Sequence, residues 1–170
     1  MKIKNSMGFT LIELIATITI LGIIMLIAVP NVIGVVTKNK RQTYINDARK
    51  MVTLAKYKFD SDATIERPTG DKCVMMKLEN LDRSELQEGP EGGQYDPNQS
   101  FVLIKYDSGS QQYIFYVQLV ETYDTDKKMG VPLTDYDSLV KITAKNDKIG
   151  SNMKDITQPS TITSVIGCTY

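Results

Sequence analysis

The sequence predicts an α+β fold, with one long amino-terminal helix packed on an antiparallel sheet of three or four strands. Three observations carry that expectation. Residues Phe9 to Val29 form an apolar run broken by a single acid, Glu13. From Ile45 to Phe59, apolar residues recur in steps of three and four. Beyond residue 100, aromatic and β-branched runs flank a glycine-containing turn. Roughly 110 residues outside the long helix suffice for one head domain and not two.

The first element is preceded by a short polar leader that carries Lys2 and Lys4 and ends at Gly8. A run of about 20 apolar residues at 1.5 Å rise each spans a bilayer core. A carboxylate in the early part of such a run is costly in lipid and needs a reason. A secretory signal has a shorter apolar stretch, with its small-residue cleavage site behind it. Here the run is longer and the small residue, Gly8, lies in front. A plain membrane anchor accounts for the length, but not for Glu13 or the Gly8-Phe9 step.

The stretch Gly8-Phe9-Thr10-Leu11-Ile12-Glu13-Leu14 resembles the leader-peptide junction of type IV pilins and the related pseudopilins. Gly22 and Pro30 also stand where that family has a helix-weakening glycine and proline. The close match covers residues 7–30; the rest agrees in layout only. The resemblance implies the pilin fold, with a membrane-spanning first half of the helix and an amphipathic second half. It implies that a prepilin peptidase cuts between Gly8 and Phe9 on the cytoplasmic side and methylates the new terminus at Phe9. The chain is then the substrate of that reaction and not its catalyst. The helix would leave the lipid for a filament of other copies and related pilins, built by a platform and ATPases encoded elsewhere. The implied role is a surface filament for adhesion or twitching motility. The alternatives are a pseudopilin of a type II secretion or DNA-uptake system, and a membrane-anchored binding domain that never polymerises. No cofactor is expected.

Glu13 has a physical reading as well. The freed amine of Phe9 is a cation and needs an anion among apolar helices. Glu13, four residues on, shares its helix face and suits the positive end of the helix dipole. The pair closes within one chain or, as the family implies, between neighbours. The competing reading is a glutamate that reaches to the membrane interface. Gly22 and Pro30 frame a weak segment, because proline removes a helix hydrogen bond and glycine costs about 1 kcal/mol against alanine. A kink and a melted stretch both remain open there. Lysines flank both ends of the span, so charge alone does not orient it. The peptidase junction puts the leader inside and residues 31–170 outside, in a single pass of the cytoplasmic membrane before assembly at the cell surface.

The expected layout is a leader at 1–8, a span and filament core at 9–30, an amphipathic continuation at 31–60 and a head at 61–170. A helix from Phe9 to Phe59 would be about 75 Å long. Its second half carries Ile45, Ala48, Val52, Ala55 and Phe59, widened by Tyr44, Met51 and Leu54. Arg41, Asp47, Arg49, Lys50, Lys56 and Lys58 fall between them and read as the wet face. Within the head, 61–100 is a connecting region and 101–170 holds the sheet and the carboxyl-terminal loop. Cys73 to Leu78 reads as a short strand, and residues 80–86 as a helical turn. The Pro90-Glu91-Gly92-Gly93-Gln94-Tyr95 run resembles the proline-glycine-tyrosine segment before the sheet in many pilin-like heads. Phe101–Tyr106 and Tyr113–Val120 form a hairpin. Ser138–Ala144 and Thr161–Ile166 are the remaining strand candidates.

The precursor has 20 basic and 20 acidic residues, so a polyanionic partner finds no support in charge. The basic cluster at Lys38, Lys40 and Arg41 is read as a solvated helix turn, and no nucleic acid is expected. Histidine is absent, which excludes histidine-based triads and histidine-ligated metals. Two cysteines, Cys73 and Cys168, cannot make a usual zinc site. In an exported domain they would pair, closing a long loop worth about 4 kcal/mol in the chain-entropy model; two buried thiols are the alternative. Asp124, Asp126, Asp135 and Asp137 lie in a stretch read as turn-rich, with Gly130 and Pro132. They are weak calcium candidates that fail the EF-hand spacing. Solvated loop acids are the default, and the chain is read as no enzyme and no metalloprotein.

Overall fold

A computed structural model describes residues 8–84, 86, 88–124, 127–141, 148–150, 158 and 166–167. The chain divides into two compact units, Met1–Thr37 and Lys38–Tyr170. The long helix α1, Leu11–Ser61, supplies residues to both.

In the first unit the helix is apolar all round, and its large side chains from Phe9 to Val36 are exposed. The polar residues of this stretch turn inward on their own backbone. Thr17 donates to the Leu14 carbonyl at 2.8 Å, Thr19 to Ile15 at 2.7 Å and Asn31 to Ile27 at 3.0 Å. Such bonds satisfy a hydroxyl or amide without water, as an apolar environment requires. The segment from Gly22 to Pro30 is helical throughout. Pro30 has no N–H, so the carbonyl of Leu26 loses its usual helix donor there.

The second unit is built on the other half of α1. Its buried face is Tyr44, Ile45, Asp47, Ala48, Met51, Val52, Ala55 and Phe59. The expected stripe is therefore the core face, with one correction. Asp47, assigned by pattern to the wet side, is 8% exposed. It lies three residues beyond Tyr44 and next to Ala48, inside the stripe rather than beside it.

Among the described residues the sheet has five strands, one more than the upper expectation. These are β1 Cys73–Lys77, β2 Gln94–Tyr95, β3 Phe101–Asp107, β4 Gln112–Asp124 and β5 Lys127–Asp135. All pairings are antiparallel. β4 organises the sheet because it is long enough to serve three partners. One of its edges pairs β3 and, further along, β2; the other pairs β5. The β3–β4 hairpin turns at Asp107, whose carboxylate accepts the Ser110 N–H at 3.1 Å and hydroxyl at 2.6 Å. Val102, Ile104, Val117, Leu119 and Val131 pack with the α1 stripe in one core. Cys73, Phe101 and Leu103 form a second cluster with Ile166 against it. A 3₁₀ turn, Leu78–Asn80, starts two residues before the helical turn expected at 80–86.

Two expectations on the carboxyl side of β4 are overturned. The turn-rich reading around Gly130 and Pro132 is wrong, since both lie in β5. The ladder slips between Val117 and Leu119, a bulge beside which an edge strand tolerates proline. Gly130 has φ +150°, and a Cβ there would strike the Leu119 carbonyl, so the close approach needs glycine. The strand expected at Ser138–Ala144 begins as a helix instead, α2 Tyr136–Lys141. Asp135 caps it by accepting the Ser138 N–H at 2.8 Å. Arg49 of α1 donates to the Val140 carbonyl at 3.0 Å near its other end. Local capping and a cation from α1 override the β-branched composition of Val140 and its successors. The strand expected at Thr161–Ile166 falls almost wholly outside the described residues.

Candidate processing and assembly site

Glu13 stands in the first turn of α1 and is bonded to Thr10. Thr10 donates to Glu13 Oε2 twice, from its backbone N–H at 2.9 Å and from its hydroxyl at 2.9 Å. The Glu13 N–H returns a bond to Thr10 Oγ1 at 3.3 Å. This is a reciprocal capping box, Thr-x-x-Glu, which satisfies donors at the helix start. The run Thr10-Leu11-Ile12-Glu13 spells this box in sequence, beside the charge pairing read for Glu13. Gly8 and Phe9 precede the helix in non-helical backbone, and Phe9 is 86% exposed. A cleavable junction next to an ordered helix start needs such accessible, irregular chain. Gly22 has open space around its α-carbon.

In the second unit, a buried polar cluster clasps the Pro90–Tyr95 segment to α1 and β4. Glu121 of β4 is fully buried and accepts the Gly93 N–H at 2.7 Å, the Glu91 N–H at 3.1 Å and the Tyr44 hydroxyl. Tyr95 donates its hydroxyl to Asp47 at 2.7 Å. Lys40 of α1 pairs with Glu91 at 2.6 Å, closing the segment from outside. A side chain at Gly89 would collide with the Glu121 carboxylate, and one at Gly93 with the Thr122 carbonyl. The glycines are therefore spacing devices that let backbone N–H groups reach a buried anion.

Burial, with the Glu121 bond and charge beside it, pushes the Tyr44 hydroxyl far above the ordinary phenol range. Burial and the Asp47 bond do the same to Tyr95. Both hydroxyls stay protonated and act as donors. Burial raises Asp47 against the opposing pull of its Tyr95 bond. Pattern put Asp47 on the wet face and gave Glu121 no role, yet for Glu121 the sequence holds a signal. Glu121 is in phase with Val117 and Leu119, at strand period two, on the face turned to the helix.

The other candidates separate. Cys73, 6% exposed at the start of β1, is disulfide-bonded, and Cys168 lies outside the described residues. Asp124 pairs with Lys127 at 3.2 Å at one end of the β4–β5 ribbon. Asp135 and Asp137 sit at the other end, and Asp126 lies outside the described residues. Among the described residues no group of three acids or cysteines gathers in metal-binding geometry.

α1 is long and apolar enough to cross a membrane, with none of that window buried. Residues 3–29 match the family model described as the prokaryotic N-terminal methylation motif. That motif is the hallmark of type IV pilin and pseudopilin prepilins, and the chain carries it at residues 3–29. The match covers the junction and the first part of α1, while the head beyond it is an α+β unit of pilin-like layout. Compared with curated proteins and with solved structures, the chain has no match.

Proposed function

We propose that this chain is a prepilin, the structural subunit of a type IV pilus. A prepilin peptidase cuts between Gly8 and Phe9 and methylates Phe9. The membrane-held subunit, its head outside, then polymerises through the apolar half of α1 into a surface filament that serves adhesion or motility. The observation that carries this reading is the unburied apolar first half of α1, whose one acid, Glu13, stands at its start behind a methylation-motif junction. An apolar stripe exposed all round belongs in lipid or among like helices.

The capping box refines the role of Glu13. In the uncut chain its carboxylate is occupied by Thr10. Cleavage creates the Phe9 amine one residue away, and Glu13 then exchanges a neutral partner for a cation. That cation belongs to its own chain or, in the filament, to a neighbour. Gly22 and Pro30 give the helix its weak segment during that transfer. Cys73 pairs with Cys168 and ties β1 to the carboxyl terminus.

Glu13→Ala tests the assembly role. The variant should be cleaved normally but yield at least about tenfold fewer filaments, since an unpaired buried cation costs several kcal/mol. Sheared-filament yield, normalised to cleaved subunit in the membrane, is the readout. A normal yield would remove Glu13 from assembly.

A further inference from the structure

We propose that the head carries a binding cleft for a neutral pyranose sugar, bounded by α1, the β3–β4 hairpin and the start of α2. This goes beyond the filament role and does not depend on polymerisation. The cleft has a volume of about 410 Å³, within the size range of small-ligand sites. All of its lining belongs to the second unit.

Tyr113 is the platform. It is 37% exposed, and its ring is braced by Phe59 at 5.2 Å and Tyr106 at 5.4 Å between centroids. A braced, half-open ring offers an apolar face at little entropic cost. The C–H face of a pyranose is the complementary surface. The floor is Lys56, whose Nζ lies 4.7 Å from the centroid of Phe115 and 4.2 Å from that of Tyr136. The two rings hold the ammonium in place without using its N–H donors.

The remaining polar groups set the ligand class. Gln112 supplies an amide and Asp137 a carboxylate to the cleft. Among the described residues, the side chains of Lys56, Gln112 and Asp137 have no hydrogen bond or ion pair. One cation and one anion line the space, so it carries no net charge. A phosphate would meet Asp137, and an apolar ligand would bury three unsatisfied polar groups. A neutral polyol answers all three. Its hydroxyls donate to Asp137 and accept from Lys56 and Gln112.

The test is saturation-transfer NMR on the full chain in a detergent without a sugar headgroup. Glucose, galactose, mannose and glucuronate are offered at millimolar concentration. The expected result is transfer to ring C–H protons of at least one neutral hexose, in preference to glucuronate. Gln112→Ala and Asp137→Asn, both exposed and outside the core, should each weaken that binding about tenfold. Tyr113→Ser should abolish it, with the melting curve of each variant checked by circular dichroism. No transfer to any hexose, a preference for glucuronate, or transfer that survives Asp137→Asn and Gln112→Ala would each overturn the proposal.

Discussion

Two carboxylates show how burial and partners divide similar residues. Glu121 is buried but fed by backbone N–H groups and a phenol, so its charge is answered by aligned donors. Asp47 has one strong donor, Tyr95, and burial dominates, which raises its pKa above the ordinary 3.8. The folded chain therefore holds this proton more tightly than the unfolded chain does. Stability at this site falls as pH rises through the window from 3.8 toward the raised folded value. Asp47→Asn keeps an acceptor for Tyr95 and removes the titration. Relative to the parent, the variant should gain stability between pH 3.5 and pH 7, read by denaturant unfolding of the detergent-solubilised chain at both pH values. A gap that is unchanged or shrinks with pH would contradict the burial argument. Neither role was legible from composition, because an acid between apolar neighbours reads as the wet face until the facing layer is known. Periodicity did hold the clue for Glu121.

At the level of elements, α1 and the β3–β4 hairpin were legible because each is set by local pattern. The 3.6-residue stripe and the Asp-Ser-Gly-Ser turn need no distant partner to be recognised. α2 and β5 were misread because contacts beyond their own residues decide them. Asp135 and Arg49 cap α2 from outside it, and β5 becomes a strand only where β4 offers a free edge. Gly130 is the point where that ladder is most constrained. Gly130→Ala would force a Cβ onto the Leu119 carbonyl at a φ of +150°. It should destabilise the head by about 2 kcal/mol or more, measured by denaturant midpoint. A loss below about 0.5 kcal/mol would mean that β5 shifts freely along β4.

For the whole molecule, one sequence serves two solvents. The first half of α1 hides no side chain and satisfies its few polar groups on its own backbone. The second half lines a core that also contains the Tyr44–Glu121 and Asp47–Tyr95 pairs. The proposed Cys73–Cys168 bond would add a covalent tie at the carboxyl end. Thiol labelling of the denatured, unreduced chain should find no reactive cysteine, and two after reduction; labelling before reduction would break the pairing. The methylation motif was legible in sequence because it is a linear run of residues, 3–29. The clasp around Glu121 was not, because it joins residues some 77 positions apart.

On the proposed function, this helix is a filament core released by cleavage before Phe9. The most direct test is the intact mass and amino-terminal fragment spectrum of the subunit from filaments sheared off cells that express the chain. A mature chain beginning at N-methylated Phe9, lacking Met1 to Gly8, is the expected filament component. A chain that stays in the membrane with its leader attached, and is absent from any filament, would contradict it.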